Sequence, residues 1–236
     1  MKARIGQCTK CNSENIMKNG HSKNGKQQYA CKDCGAHRIL EYEKDYNEER
    51  KAEILRAYQE RTSLRGLTRI FHVARQTVSG WLKKMTLPSI EETLLPFNEN
   101  DILELDEIHS FVGNKKNKKW IWLAKSRLRK QIVAYFIGDR SAESCKKLRE
   151  RIPEKYKRLQ SFSDQWDAYA EVFDPELHTS ISKQSGETSH IERFNNTLRQ
   201  RIGRLVRKTL SFSKSELMHD LAIKMFIVYY NRSLKN

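Results

Sequence analysis

Four of the five cysteines fall in two pairs, Cys8-Thr9-Lys10-Cys11 and Cys31-Lys32-Asp33-Cys34, with 19 residues between them. Each short pair can grip a metal from a tight turn, so together they offer the four thiolates of a tetrahedral zinc site. The intervening stretch has to return the chain as a hairpin. Its residues suit that task, since Gly20 to Gly25 supplies a turn and Gln27 to Ala30 can run extended. An intracellular setting argues against disulfides. One structural zinc held by Cys8, Cys11, Cys31 and Cys34 is therefore expected, because about 40 residues cannot sustain a core alone. His21 and His37 are nearby, but four cysteines leave no vacancy. Cys145 stands apart and reads as packing.

Three carboxylates offer a second chemistry. Asp106 lies inside the apolar run Ile102 to Ile108, Asp164 ends a short strand-like segment, and Glu192 opens a helical one. Each also has a plain structural reading. Asp106 can be a strand-edge charge and Asp164 a turn cap, while Ser189-His190-Ile191-Glu192 has capping-box spacing. Asp is disfavoured among Ile and Leu in a strand, which favours a functional reason for Asp106. As a set, the three supply oxygen ligands for magnesium, with manganese as a substitute. Two such ions about 3.5–4 Å apart can activate a hydroxyl and stabilise the departing oxygen of a phosphodiester. Glu107 and Asp167 sit close enough to be rival ligands. No nucleophile-elbow pattern and no Walker-type glycine loop occurs, so acyl chemistry and a nucleotide cofactor are not expected.

The elements that position these groups form an α+β multi-domain chain. Residues 1–44 make the zinc ribbon or knuckle, and 45–86 make three helices of a helix-turn-helix. Asn47 caps the first helix, Leu64 to Phe71 forms the second, and Arg75 to Lys84 the third. On the third, Val78, Trp81 and Leu82 face inward, leaving Arg75, Gln76, Ser79 and Lys83 for base edges and phosphates. An ordinary three-helix bundle with a solvated basic face is the plainer alternative. Residues 87–100, with Pro88 and Pro96 nearby, read as a linker. From 101 to 236 the pattern is β-β-β-α-β and then helix: an antiparallel meander joined to a crossover unit, giving a mixed sheet. The helix from Ser189 buries Ile191, Phe194, Leu198, Ile202 and Leu205. Glu192, Asn196, Arg199 and Gly203 share another face.

The chain has 236 residues and a formal charge of +16, so a polyanion is its expected partner. That charge is unevenly spread. Residues 101–192 are nearly balanced, with 17 basic and 15 acidic side chains, whereas the last 44 residues hold 10 basic and 2 acidic. No run reaches the roughly 18–20 apolar residues of a membrane span. Nor does an apolar run follow Met1 as a secretory leader would require. A soluble protein of the cytoplasm or nucleoid is expected.

Leu105-Asp106-Glu107, Ser163-Asp164-Gln165-Trp166 and above all His190 to Gln200 resemble the transposases of the insertion-sequence-1 family. The run Arg207 to Ser215 is similar to that family's C-terminal end, and the resemblance covers nearly the whole chain. It implies an RNase H-like catalytic domain with a DDE triad of Asp106, Asp164 and Glu192. Magnesium-dependent cleavage and strand transfer at the element's own ends follow from it. Arg199 matches the basic residue expected seven places after the glutamate, with Arg193 and Asn196 beside it. The partners implied are double-stranded DNA, as terminal inverted repeats and as target, and further copies of the chain in a dimer or larger assembly. Prototype members divide the protein between two reading frames, whereas here both halves form one chain. Two other classes would use the same residues differently. A zinc and helix-turn-helix transcription regulator would bind a promoter without cutting. An RNase H-like structure-selective nuclease would keep the acids but ignore repeats.

Overall fold

Three apolar runs after residue 101 are too continuous for one-sided burial, and in the computed structural model they form a sheet covered on both faces. The structure describes residues 7–23, 25–39, 46–182 and 185–235; the opening residues 1–6, Asn24 of the hairpin turn and the 44/45 boundary lie outside them. The chain divides into two compact units, residues 1–53 and 54–236.

In the first unit β1 (Ile16–His21), β2 (Gln27–Cys31) and β3 (His37–Ile39) make an antiparallel sheet in the order β1-β2-β3. Gly25 takes positive φ in the turn between β1 and β2, and Gly20 takes it within β1 where the register shifts, a conformation that glycine adopts without strain. Helix α1 (Glu48–Tyr58) runs across the boundary between the units, its first turn capped by Asn47, whose Oδ1 accepts the Arg50 N–H at 2.8 Å.

The second unit holds α2 (Leu64–Phe71) and α3 (Arg75–Lys84), then the sheet strands β4 (Leu103–Phe111), β5 (Lys118–Ser126), β6 (Ile132–Gly138), β7 (Ser161–Ser163) and β8 (His178–Ser180). Helix α4 (Ala142–Arg151) crosses from β6 to β7, and α5 (Asp167–Val172) from β7 to β8; α6 (Ser189–Arg201) and α7 (Glu216–Ser233) complete the chain. Strand order is β6-β5-β4-β7-β8, with β4, β5 and β6 antiparallel and β7 and β8 parallel to β4. This is the expected mixed sheet.

Two-residue alternation separates its cores. Leu103, Leu105, Trp122 and Ala124 pack with Cys145 and Leu148 of α4 and Tyr169 of α5. Ile108, Ile121 and Leu123 pack with Ile191, Phe194 and Leu198 of α6 and Phe226 and Ile227 of α7. Serines start three helices: Ser63, Ser141 and Ser215 accept the N–H groups of Gly66, Ser144 and Met218.

Two local findings differ from the sequence reading. Helix α6 stops at Arg201, so Ile202 and Leu205 are buried beyond its end and Gly203 lies off the helix that carries Glu192. The segment 87–100 is laid on the sheet: Leu94 and Phe97 pack against the core, and the Leu95 N–H donates to Gln131 at 2.6 Å. Buried Asn231 of α7 accepts from the Ile132 N–H and donates to Thr93 and the Ile132 carbonyl, tying α7, β6 and that segment together. No helix among the described residues is long and apolar enough to cross a membrane.

Candidate active site and thiolate centre

Strand β4 carries three acids, and its pleat sorts them. Glu104 and Asp106 share the face toward α6, while Glu107 faces α5. The parallel register sets Leu103 beside Ser161 and Glu104 beside Phe162, so two residues further on Asp164 stands next to Asp106 at the end of β7. Asn195 of α6 donates its amide to Asp106 Oδ2 at 2.6 Å, and the Glu107 N–H donates to Oδ1 at 2.8 Å. Burial pushes the Asp106 carboxyl up to about 7, and the charges of Glu107, Asp164 and Glu192 add to the rise. Acids from two strands and one helix thus press on a single carboxylate.

Glu107 is otherwise engaged. Arg140 donates to its Oε1 from Nε and Nη2 at 2.8 and 2.5 Å, and the Tyr169 hydroxyl donates to Oε2 at 2.8 Å. The Arg140 guanidinium also lies 3.9 Å over the Trp166 ring and 4.6 Å over Trp120, fixing the turn that bears Asp164. Asp167 is exposed in the first turn of α5. Of the two rivals, Glu107 is thus committed to holding the fold.

Glu192 is placed by a residue that the sequence reading passed over. Wholly buried Glu104 accepts the Ile191 N–H at 2.8 Å, His190 Nδ1 at 2.9 Å and Arg127 Nε at 2.8 Å. Arg127 reaches on to Glu187, whose Oε2 accepts from Nη1 at 2.7 Å. A carboxylate at the start of α6 meets the positive end of the helix macrodipole and satisfies an orphan amide. The signal in the sequence was an acid two residues before Asp106, hence on the same face. Thr188 takes the N-cap position and Ser189 is already helical, so the Ser189–Glu192 capping box does not form. Glu192 is exposed and its Oε1 accepts from Thr188 Oγ1 at 3.5 Å.

Among the described residues, four ligand atoms all within 4.8 Å of one another occur at the cysteines; the carboxylates are not gathered that closely. The donor set still fits a hard divalent cation. Asp106, Asp164 and Glu192 offer only oxygens, and a cation there would offset both the burial of the Asp106 charge and its repulsion by the neighbouring acids.

The basic candidates divide between two places. Arg193 and Asn196 are exposed on α6, and half-buried Arg199 donates to the His109 carbonyl at 3.3 Å, on the β4 side of the helix. Burial and Arg207 lower the Arg199 pKa, while Asp106 raises it. Arg75, Gln76 and Lys83 are exposed on α3, with Ser79 partly so. Arg75 and Ser79 face a groove beside Gly203 and Arg204, beyond the opposite end of α6 from Glu192.

In the first unit the sulfurs of Cys8 and Cys34 are 3.5 Å apart, and those of Cys11 and Cys31 3.6 Å. Sulfurs about 2.3 Å from a tetrahedral zinc would be about 3.8 Å apart, so the cluster could hold that ion. The Lys10 N–H donates to Cys8 Sγ at 3.4 Å and, with the Cys11 N–H, holds the thiol down at about 6, favouring the thiolate. Asp33 accepts from Ser13 and from Asn15, the latter at 2.9 Å, and so ties one cysteine pair to the other.

Comparison with known proteins gives the following. The family model for IS1 transposase matches residues 101–231. Protein InsB of insertion element IS1 4 from Escherichia coli (strain K12) is 34% identical over 146 residues, 61% of this chain and 85% of that protein. Protein InsB of iso-IS1n from Shigella dysenteriae is 39% identical over 128 residues, 53% of this chain and 93% of that protein. The HTLV-2 integrase catalytic core domain, solved in complex with magnesium in a trimeric form, aligns with 14% identity and a TM-score of 0.38, covering 56% of this chain and 86% of that one.

Proposed function

The chain belongs to the IS1 transposase family, and from that premise we propose that Asp106, Asp164 and Glu192 are the DDE triad of a DNA transposase. The observation that carries this reading is geometric: the parallel register of β4 and β7 brings Asp164 beside Asp106, and Glu104 and Asn195 tie the helix that bears Glu192 to the same face of β4. A strand order of β6-β5-β4-β7-β8, with β5 antiparallel to its neighbours, supports an RNase H-like fold for residues 101–236.

Magnesium ions held by Asp106, Asp164 and Glu192, with manganese as a substitute, would supply an activated hydroxyl and stabilise the leaving oxygen of a phosphodiester. The chain's own residues do the rest. Asn195 fixes Asp106 Oδ2, the Glu107 N–H fixes Oδ1, and Glu104 fixes the start of α6. Arg199, Arg193 and Asn196 lie along that helix and would hold the phosphates flanking the scissile bond; fixed cations there position the strand and offset transition-state charge. Residues 45–86 act as the helix-turn-helix, α3 reading the terminal inverted repeats through Arg75, Gln76, Ser79 and Lys83, with 87–100 as the connection to the catalytic domain. Residues 1–44 fold around one zinc bound by Cys8, Cys11, Cys31 and Cys34. Two element ends must meet, so the active form is a dimer or larger.

The test is cleavage of a labelled duplex carrying the element's own ends, with Mg²⁺ and then with EDTA. Nicking at the repeat boundary in Mg²⁺ alone is expected, and Asp106→Asn, Asp164→Asn and Glu192→Gln should each abolish it while end binding persists. Full activity in any one of the three removes that residue from the triad.

A further inference from the structure

We infer that the groove between α2–α3 and the chain leaving α6 seats one sugar-phosphate strand of the DNA being cut. The inference rests on the transposase reading above and adds to it a binding site apart from the triad, which shares Arg75 and Ser79 with α3 and brings in Arg65, Arg204 and Lys214.

The groove encloses about 570 Å³ and carries Arg65, Arg75, Arg204 and Lys214 on its walls, with no acidic side chain among its lining residues. Among the described residues, Arg65, Arg75 and Lys214 enter none of the ion pairs, so their charge is available to a ligand. Phe212 and Leu210 add apolar surface, and Leu210 is 93% exposed. Fixed cations hold a DNA strand by its phosphates, and the apolar side chains beside them can cover its sugars. A small anion would leave that apolar surface uncovered.

The groove is also built in advance. Its two walls are clamped by the Arg61 N–H donating to the Arg201 carbonyl at 2.7 Å and by Arg204 Nε donating to the Tyr58 hydroxyl at 2.9 Å. An ion pair between Arg201 and Glu60 adds to the clamp. At Gly203 the approach is so close that a Cβ would lie 2.8 Å from the Arg61 carbonyl oxygen. A preformed site loses little ordering entropy on binding.

Position favours the same occupant. Ten residues of chain separate Glu192 from Ile202 at the groove, about 15 Å along a helix. A strand advancing about 3.4 Å per nucleotide covers that distance in four to five nucleotides. Arg193 and Arg199 lie on the way. One continuous polyanion can therefore reach both the groove and the acids.

Equilibrium binding of the zinc-loaded full chain to duplex DNA, followed by fluorescence anisotropy across a salt series, tests this. Arg65→Gln with Lys214→Gln is compared with Lys146→Gln with Arg149→Gln, a pair exposed on α4 against the opposite sheet face. Loss of two phosphate contacts should flatten the slope of log affinity against log salt by about 1.8, so that wild type loses about 12-fold more affinity than the groove variant between 50 and 200 mM salt. The α4 pair should leave the slope as it is. An unchanged slope in the groove variant overturns the inference, as does an unchanged slope accompanied by a new oligomeric state in light scattering, which would make the groove a protein interface. The slope is read on repeat and on scrambled duplex alike. Equal binding to the two would count against end recognition, while the slope change would still uphold the groove.

Discussion

Replacing Glu104 is the most informative perturbation of the fold around the triad. Its carboxylate has no exposed surface and accepts from the Ile191 N–H, His190 and Arg127. Glu104→Ala strands a buried helix amide and leaves Arg127 with Glu187 alone. Removing one partner of a buried pair costs about 3–5 kcal/mol. In a unit of this size about 1 kcal/mol moves the melting temperature by about 2–4 °C, so a fall of about 10 °C is expected. Glu104→Gln keeps the shape and one acceptor but turns an amide toward the Arg127 and His190 donors, costing about 1.5–3 kcal/mol, the worth of a hydrogen bond to a charged group. Glu143→Ala, which breaks an exposed pair on α4, should change stability by under about 0.5 kcal/mol. Urea unfolding followed by tryptophan fluorescence reads the effect cleanly, because all four tryptophans lie after residue 54. Below the melting point, Glu104→Gln should slow end cleavage with DNA affinity retained, since it loosens the helix that carries Glu192. An alanine variant within about 1 kcal/mol of wild type would refute the anchoring role.

Three further outcomes follow from the same structure. Gly203→Ala drives a Cβ into the Arg61 carbonyl oxygen and should destabilise residues 54–236 by about 1–3 kcal/mol, measured by the same unfolding assay; no change would mean that the two segments do not meet closely at Gly203. Burial holds His178 and His219 near pKa 4, below the unfolded value of 6.5, so the unfolded chain takes up protons first and stability falls as pH drops from 6.5 toward 4. The two together contribute at most about 2.7 kcal/mol per pH unit, and His178→Asn should remove about half of that slope in urea titrations at pH 7, 6 and 5. Chelating zinc should unfold residues 7–39 in hydrogen-exchange measurements while the tryptophan signal of the second unit persists, and Cys31→Ser should lose the one bound equivalent.

The thiolate set and Asp106 stood out because their signals are local, cysteine pairs at fixed spacing and an Asp where Ile and Leu belong, whereas Asp164 and Glu192 were joined to Asp106 as a triad only through the family resemblance. Strands β4, β5 and β6 were legible from apolar runs that only a doubly covered sheet requires. What escaped depends on contacts distant in sequence. Glu104 and Arg127 are 23 residues apart and Glu104 and Ile191 are 87 apart, so neither bond leaves a mark on nearby sequence. Helix α7 was not marked out because it is buried on most sides, from Met218 and Ala222 through Met225 to Val228, and shows little amphipathic period. The stripe through Ile202 and Leu205 suggested a longer α6; both residues are buried, but the helix ends at Arg201 and Gly203 is needed for the approach of Arg61. Residues 87–100 carry prolines and charge like a linker, yet Thr93, Leu94 and Phe97 find partners on the sheet.

Ligation of the metal by the proposed triad is most directly tested by a change of donor atom. Asp164→Cys replaces a hard oxygen with a softer thiolate, which binds Mg²⁺ poorly and accepts Mn²⁺ better. End cleavage by this variant should be lost in Mg²⁺ and recovered, at least in part, in Mn²⁺, whereas wild type cuts in both and Asp164→Ala in neither. Cleavage by Asp164→Cys at the wild-type rate in Mg²⁺ would contradict the assignment, and so would an Asp164→Ala variant that Mn²⁺ restores equally well.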